Sequence, residues 1–253
     1  AAVTHTDGPE GINKNGHGEV FDVDSQMRLS ATFESHLSGD PRLSVLFAPG
    51  SSNSVIVGMP NGSTSDSYVS ATTGLTVPGV TDRHVYAQTH PALRGKDVPM
   101  VFQTYAEVEF LKAEAAIRGW ISSSAEEHYN KGVTAAMKML KQLYPASTAI
   151  TDAEISAYLA GPGAYDASKG WEMAMNEYWK ATFLNEYEAY ANWRRTGYPT
   201  LTPTGHPNSV SNNQIFRRMI YPGGESATNG DNYAAAVARQ GADDFTTRMW
   251  WDK

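Results

Sequence analysis

The 253-residue sequence contains no cysteine. That excludes disulfides, thiolate nucleophiles and the zinc or iron–sulfur sites that need Cys, and it leaves the redox compartment open. No run approaches the ~20 apolar residues of a membrane-spanning helix. Charged residues are sparse at 19%, and 20 basic against 27 acidic side chains give a net charge of −7. An extended basic surface tracking phosphates would work against that field, so nucleic acid is not an expected partner. A Gly-x-Ser-x-Gly nucleophile elbow is missing, since Pro60-Asn-Gly-Ser63 lacks the flanking glycine. Gly161-Pro-Gly163 and Gly223-Gly224 lack the Lys and the strand-to-helix context of a phosphate loop and read as turns, so no cofactor is expected. The start, Ala-Ala-Val-Thr without Met, reads as a processed end or an interior cut, and the polar Ala1 to Gly18 is no export signal.

The chain does have a normal globular share of apolar residues, 41%, and 11% aromatics. The expected class is mainly α, in a single domain over 1–253, with a loop-rich segment over 1–100 and a helical segment over 101–253. Up to about Met100 the sequence holds 7 of the 13 Pro and 11 of the 22 Gly, a composition that favours turns. One helix is expected there, Ser25 to about Leu37, with Leu43 to Phe47 and Val55 to Val57 as short strands. After Pro99, Thr104-Tyr-Ala-Glu107, Ser124-Ala-Glu-Glu127 and Thr151-Asp-Ala-Glu154 match the capping box and predict three helix starts. The first two helices, to about Arg118 and Leu143, predict a helical hairpin like one tetratricopeptide unit. Trp171, Met175, Tyr178, Trp179, Phe183, Tyr187 and Tyr190 recur at helical steps and predict one long helix over Lys169 to Arg195. A short helix is expected over Tyr233 to Gln240.

Three groups of residues bear on chemistry. Glycoside hydrolysis needs two carboxylates facing each other across a cleft; the candidates are Glu107, Glu109, Glu114, Glu186 and Glu188, each more simply a helix-surface or capping acid. Asp22-Val-Asp24 with His17 is the nearest approach to a cation site, lacks the spacing of a calcium loop and reads as turn chemistry, so no metal is expected. Flat rings in loops stack on sugar faces or peptide side chains, and Tyr68, Tyr86 and Tyr165 are the candidate ligand-binding residues. Arg194 and Arg195 read as helix C-terminal cations. Arg217 and Arg218 are expected to meet Glu225 or Asp231 and pin the C-terminal segment.

Several phrases, in order, resemble the SusD/RagB-type outer-membrane lipoproteins: Gly39-Asp40-Pro41-Arg42-Leu43, Gly58-Met-Pro-Asn-Gly62, Tyr105-Ala-Glu-Val-Glu-Phe-Leu-Lys-Ala-Glu114 and Trp193-Arg194-Arg195-Thr196-Gly197-Tyr198-Pro199, followed by Ile215-Phe-Arg217-Arg218-Met-Ile-Tyr221-Pro222 and Trp250-Trp251-Asp252. Phe216 departs from the pattern, which expects proline there. The resemblance is to the C-terminal part of such proteins. It implies a SusD-like helical fold with irregular loops and a non-catalytic role: surface capture of an oligosaccharide or peptide and its delivery to a SusC-type TonB-dependent transporter. It further implies attachment to the outer membrane through a lipid anchor outside this chain. Two rivals stand beside it, a glycan hydrolase using helix carboxylates and a pure interaction scaffold.

Overall fold

The computed structural model describes residues 1–6, 13–23, 27–62, 67–70, 73–78, 83–206 and 208–252. In the first hundred residues the elements are short: β1 (Ala2–Val3), α1 (Gly16–Val23), α2 (Ala31–His36), α3 (Leu43–Leu46), β2 (Phe47–Ala48), β3 (Ser67–Val69), β4 (Thr76–Pro78), β5 (Gln88–Thr89) and β6 (Met100–Val101). The strands pair as three antiparallel two-stranded ladders, β1 with β6, β2 with β5 and β3 with β4. Then come α4 (Tyr105–Ile117), α5 (Ala125–Leu143), α6 (Asp152–Leu159), α7 (Gly170–Ala181), α8 (Glu186–Thr196), α9 (Glu225–Thr228) and α10 (Gly230–Gln240). None of the described helices is long and apolar enough to cross a membrane.

The capping chemistry acts as the sequence predicts at two starts and by half at the third. Thr104 and Glu107, and Thr151 and Glu154, exchange both hydrogen bonds of the box. Ser124 Oγ accepts from the Glu127 N–H, but the Glu127 carboxylate turns to Lys131, 2.6 Å away. α4 and α5 form the expected hairpin. Its core is Ala106, Phe110 and Ala113 against Tyr129, Val133 and Met137, all essentially inaccessible, and α7 lies across both helices. Buried residues of the loop-rich part, Leu29, Phe33, Leu37, Leu46 and Phe47, join the same core.

Four local expectations are corrected. Of the helix predicted over Ser25 to Leu37, Ser25 and Gln26 lie outside the described residues and only α2 forms in the rest, because Ser30 caps it by accepting from the Phe33 N–H at 3.0 Å and the Leu29 backbone is claimed elsewhere. The Leu29 N–H donates to Ala87 O at 2.8 Å while Leu29 O accepts from the Met59 N–H at 2.6 Å. Leu43 to Phe47, read as a strand, is α3 running into β2. Val55 to Val57 is no strand, although Val57 is buried and its carbonyl accepts from the Ala87 N–H. The single long helix is two, α7 and α8, broken at Thr182–Asn185. Thr182 Oγ1 donates back to the carbonyls of Tyr178 and Trp179, both at 3.1 Å, and Leu184 takes a left-handed φ of 66°. Beyond the break the apolar spacing no longer marks a buried face, since Tyr187 is 85% exposed. α1 has no counterpart in the sequence expectations. Asn15 Oδ1 starts it by accepting from the N–H groups of His17 and Gly18.

Candidate functional site

The candidate carboxylates are all engaged. Glu109 accepts from Lys112 at 2.9 Å and meets His128 Nδ1 at 2.6 Å. Glu114 receives a bidentate fork from Arg195 at 2.6 and 2.8 Å and a third bond from Arg118. Glu186 pairs with His17 at 3.2 Å, and Glu188 accepts from the Tyr178 hydroxyl at 2.6 Å. Glu107 is pushed up by burial, against the lowering effect of its capping bonds to Thr104, and the charge of Glu188 adds to the rise. It borders a cavity of only about 20 Å³, room for about one water and for no sugar. Among the described residues there is no cluster of three metal-ligating side chains; the side chain of Asp22 and all of Asp24 lie outside them.

Beneath the core lies a closed ionic cluster. Arg42, from the Gly39-Asp40-Pro41-Arg42 phrase, donates to Asp40 through Nε at 2.9 Å and to Glu177 through Nη2 at 2.6 Å. Lys180 donates to Glu177 at 2.7 Å and to the Tyr158 hydroxyl at 2.9 Å, and Tyr158 donates to Glu177 at 2.7 Å. All five side chains are buried. Burial alone would raise the Glu177 carboxyl, but Arg42 and Lys180 outweigh it and hold the group well below its usual range. Glu109 behaves alike: burial raises it, and the bonds from His128, Lys112 and Tyr105 bring it down to about 2 from 4.5. Both folded values lie below the unfolded ones, so their contribution to stability is complete above about pH 4.5 and drains away as pH falls toward about 2. Helical circular dichroism followed down in pH is therefore expected to hold to about pH 4.5 and then fall, with a shallower fall in Glu109→Gln; a loss beginning above pH 6 would assign acid sensitivity to other groups.

The Trp-Arg-Arg phrase and the C-terminal Trp-Asp interlock. The Arg194 guanidinium lies 4.2 Å from the Tyr190 ring and 4.6 Å from Trp251, and Arg217 lies 4.2 Å from Trp193. Asp252, buried, holds Arg217 at 3.1 Å and Arg248 at 3.2 Å, while Arg218 reaches Asp243 at 3.1 Å. Arg217 and Arg218 thus pin the C-terminal segment as the sequence predicts, but through Asp252 and Asp243 instead of Glu225 or Asp231. Asp243, which follows α10, is held in place by also accepting from the Tyr221 N–H at 3.1 Å.

The surface feature suited to a ligand is a groove of about 590 Å³. One wall is the start of α2 with the turn Met59–Gly62; the other comprises residues 201–204 and 209–216, and Trp179 of α7 joins the lining. Gly62 has φ +56°, and a Cβ there would sit 2.4 Å from the side chain of Thr204, so glycine lets the two walls approach. Among the described lining residues there is no charged side chain. Hydroxyls and amides, including Thr32, Asn61, Thr204, Asn213 and Gln214, are interleaved with apolar residues such as Met59, Leu201 and Ile215, and Trp179 and Phe216 supply rings. Asn61 Nδ2 donates to Thr32 Oγ1 at 3.2 Å, and Tyr190 holds the Phe216 carbonyl at 2.9 Å, which fixes two of these groups.

The three sequence candidates fall elsewhere or beyond view. Tyr86 is completely buried with Val57, Val77 and Val85, which leaves no ring face for a ligand in this structure. Tyr165 is half-buried, its ring 5.2 Å from Tyr129 and its hydroxyl wedged against Gly170. Tyr68 stands opposite Val77 in the β3–β4 ladder, and its side chain lies outside the described residues. The apolar spacing of α7 assigns Trp179 to a core stripe and gives no sign of the groove. The one available signal was Phe216, an aromatic where the family phrase expects proline, and it is 44% exposed at the groove wall.

Comparison with known proteins bears on this fold directly. The SusD-like family described as starch-binding and associating with the outer membrane matches residues 10–222. A solved chitin-binding protein superposes with a TM-score of 0.81 at 30% identity, covering 100% of this chain and 55% of its own. A Bacteroidetes SusD-like protein gives 0.78 at 27%, over 100% and 60%. A chitin-binding SusD homologue from Flavobacterium johnsoniae gives 0.70 at 22%, over 100% and 54%, and shares the fold. No curated protein sequence matches significantly. The chain spans rather more than half the length of these structures. Its helices, its short two-stranded ladders and the family phrases at their junctions thus have one common source, and the chain belongs to the SusD-like family.

Proposed function

We propose that this chain captures a neutral oligosaccharide in the uncharged groove beside Trp179, without turning it over, as part of a cell-surface nutrient-binding protein. The observation that carries the reading is the lining: amides and hydroxyls to meet sugar hydroxyls, two rings for sugar faces, and no described charge. Two structural neighbours are named for binding chitin, which supports a glycan over a peptide. The family description supports an outer-membrane setting, in which the captured ligand passes to a SusC-type TonB-dependent transporter and a lipid anchor outside this chain holds the protein at the surface. The engaged carboxylates and the small cavity beside Glu107 favour capture over hydrolysis.

The test is calorimetric titration with a panel of neutral and acidic oligosaccharides and peptides, with new reducing ends and amines measured in the same samples. A neutral glycan is expected to bind with no product formed. The Asn213→Ala, Gln214→Ala double variant is expected to lose roughly 5- to 150-fold in affinity, at about 0.5–1.5 kcal/mol for each hydrogen bond lost. Reducing ends would favour the hydrolase, peptide binding would keep capture but change the ligand, and an unaltered affinity in the double variant would move the site away from this groove.

A further inference from the structure

Trp179 and Ser30 line the groove and also a second, adjoining chamber of about 290 Å³. The chamber differs in character. Its walls include Leu29, Phe33, Phe47, Phe183 and Leu184. The rings brace one another: Phe33 meets Trp179 edge-on at 4.8 Å and stacks on Phe183 at 5.6 Å, and Phe47 meets Phe183 at 5.1 Å. The apolar wall is therefore preformed, and needs no rearrangement to receive a guest.

Two of its residues owe their place to the break between α7 and α8. A continuous helix, which the apolar spacing favours, would carry Phe183 and Leu184 on along its own axis. Instead the backbone leaves the helix and Leu184 adopts φ 66°, a conformation that a bulky residue without a glycine's freedom takes up at a cost. A local rule broken where a cavity forms is the pattern expected of a functional site. Two charged side chains on the chamber wall, Arg28 and Glu186, are already engaged. Arg28 Nε donates to Arg83 O at 2.9 Å, and Glu186 pairs with His17. An ionic guest finds no ready partner there.

We infer that the chamber is a subsite for the acyl substituent of a sugar lying in the groove, so that the protein selects N-acylated sugars over unsubstituted ones of the same backbone. The inference rests on the groove being a glycan site. An acylamido group matches the junction chemically: its apolar end lies in the chamber against the paired rings of Phe33 and Phe183, while its sugar remains among the hydroxyls and amides, and Trp179 borders both.

The experiment compares chitohexaose with cellohexaose, which share a backbone geometry and differ in an acetamido group in place of a hydroxyl. Titration of this chain is expected to give at least tenfold tighter binding of the acetylated hexamer. Ala189→Phe, which fills the chamber from α8, is expected to collapse that ratio toward one; Ala189→Val is a milder filling should the larger residue impair folding, with thermal melting as the control. Equal affinity for the two hexamers, or a ratio that survives both fillings in folded protein, overturns the inference and leaves the groove reading standing. Binding of neither hexamer while another neutral glycan binds overturns the inference alone, and binding of no glycan at all overturns both.

Discussion

Replacing Glu177 with Gln is expected to destabilise the protein by about 3–5 kcal/mol, the usual cost of removing one partner from a buried ion pair. The cluster is balanced as it stands, with Arg42 and Lys180 against Asp40 and Glu177, all at most 8% exposed. Gln keeps the shape and most of the hydrogen-bonding capacity but strips one negative charge, leaving a buried net positive charge. The Arg42 Nη1 group already has no protein partner, so the guanidinium has no spare acceptor to turn to. Urea unfolding of the variant beside Glu127→Gln, whose Lys131 partner is at the surface, checks the argument: the surface change is expected to leave the unfolding midpoint nearly where it was. A Glu177→Gln loss as small as the surface one would mean that the cluster contributes little. The cluster also matters to the groove, because it joins the segment following α2 to α7. Those two elements carry Thr32 and Trp179 on the groove lining, so ligand affinity is expected to fall with stability in this variant.

What was legible in the sequence follows from how local each cause is. The starts of α4 and α6 were readable because a capping box is complete within four residues. The α4–α5 hairpin was readable because each helix carries its own apolar stripe. The α7–α8 break was not, since the spacing of Trp171 to Tyr190 continues across it and only the packing of Phe183 against Phe33 and Phe47 decides otherwise. α2 was overextended for a similar reason: the apolar residue Leu29 suits a helix locally, but its backbone is claimed by Ala87 and Met59, 58 and 30 residues away. The family phrases were legible as a set, yet their physical roles were not. Arg42, Arg195 and Asp252 turn out to be the buried or bidentate centres of ion pairs whose partners lie far along the chain, except for Asp40 and Arg248. The groove was the least legible part, because its walls come from five separate segments and an uncharged polar lining leaves no motif.

The hairpin that supports these segments offers a sharper test than a simple deletion. Gly132 of α5 faces Phe110 of α4 so closely that a Cβ on the glycine would lie 2.6 to 2.9 Å from three ring atoms. Phe110 is fully buried and contacts Tyr129 and Tyr178 edge-on or tilted. Phe110→Ala is expected to cost about 3–5 kcal/mol through lost burial and the cavity it leaves. Gly132→Ala alone is expected to cost about 1–3 kcal/mol, since overpacking of a fixed ring exceeds the gain of about 1 kcal/mol that alanine brings to a helix interior. In the Phe110→Ala background the ring is gone, the new methyl meets open space, and only the helix preference and partial filling of the cavity remain. Gly132→Ala is then expected to stabilise. A double-mutant cycle measured by denaturant unfolding reads this change of sign directly. Additive costs would show that the glycine is tolerated at the crossing and not required by it, and the α4–α5 contact would have to be held by the alanines and Val133 instead.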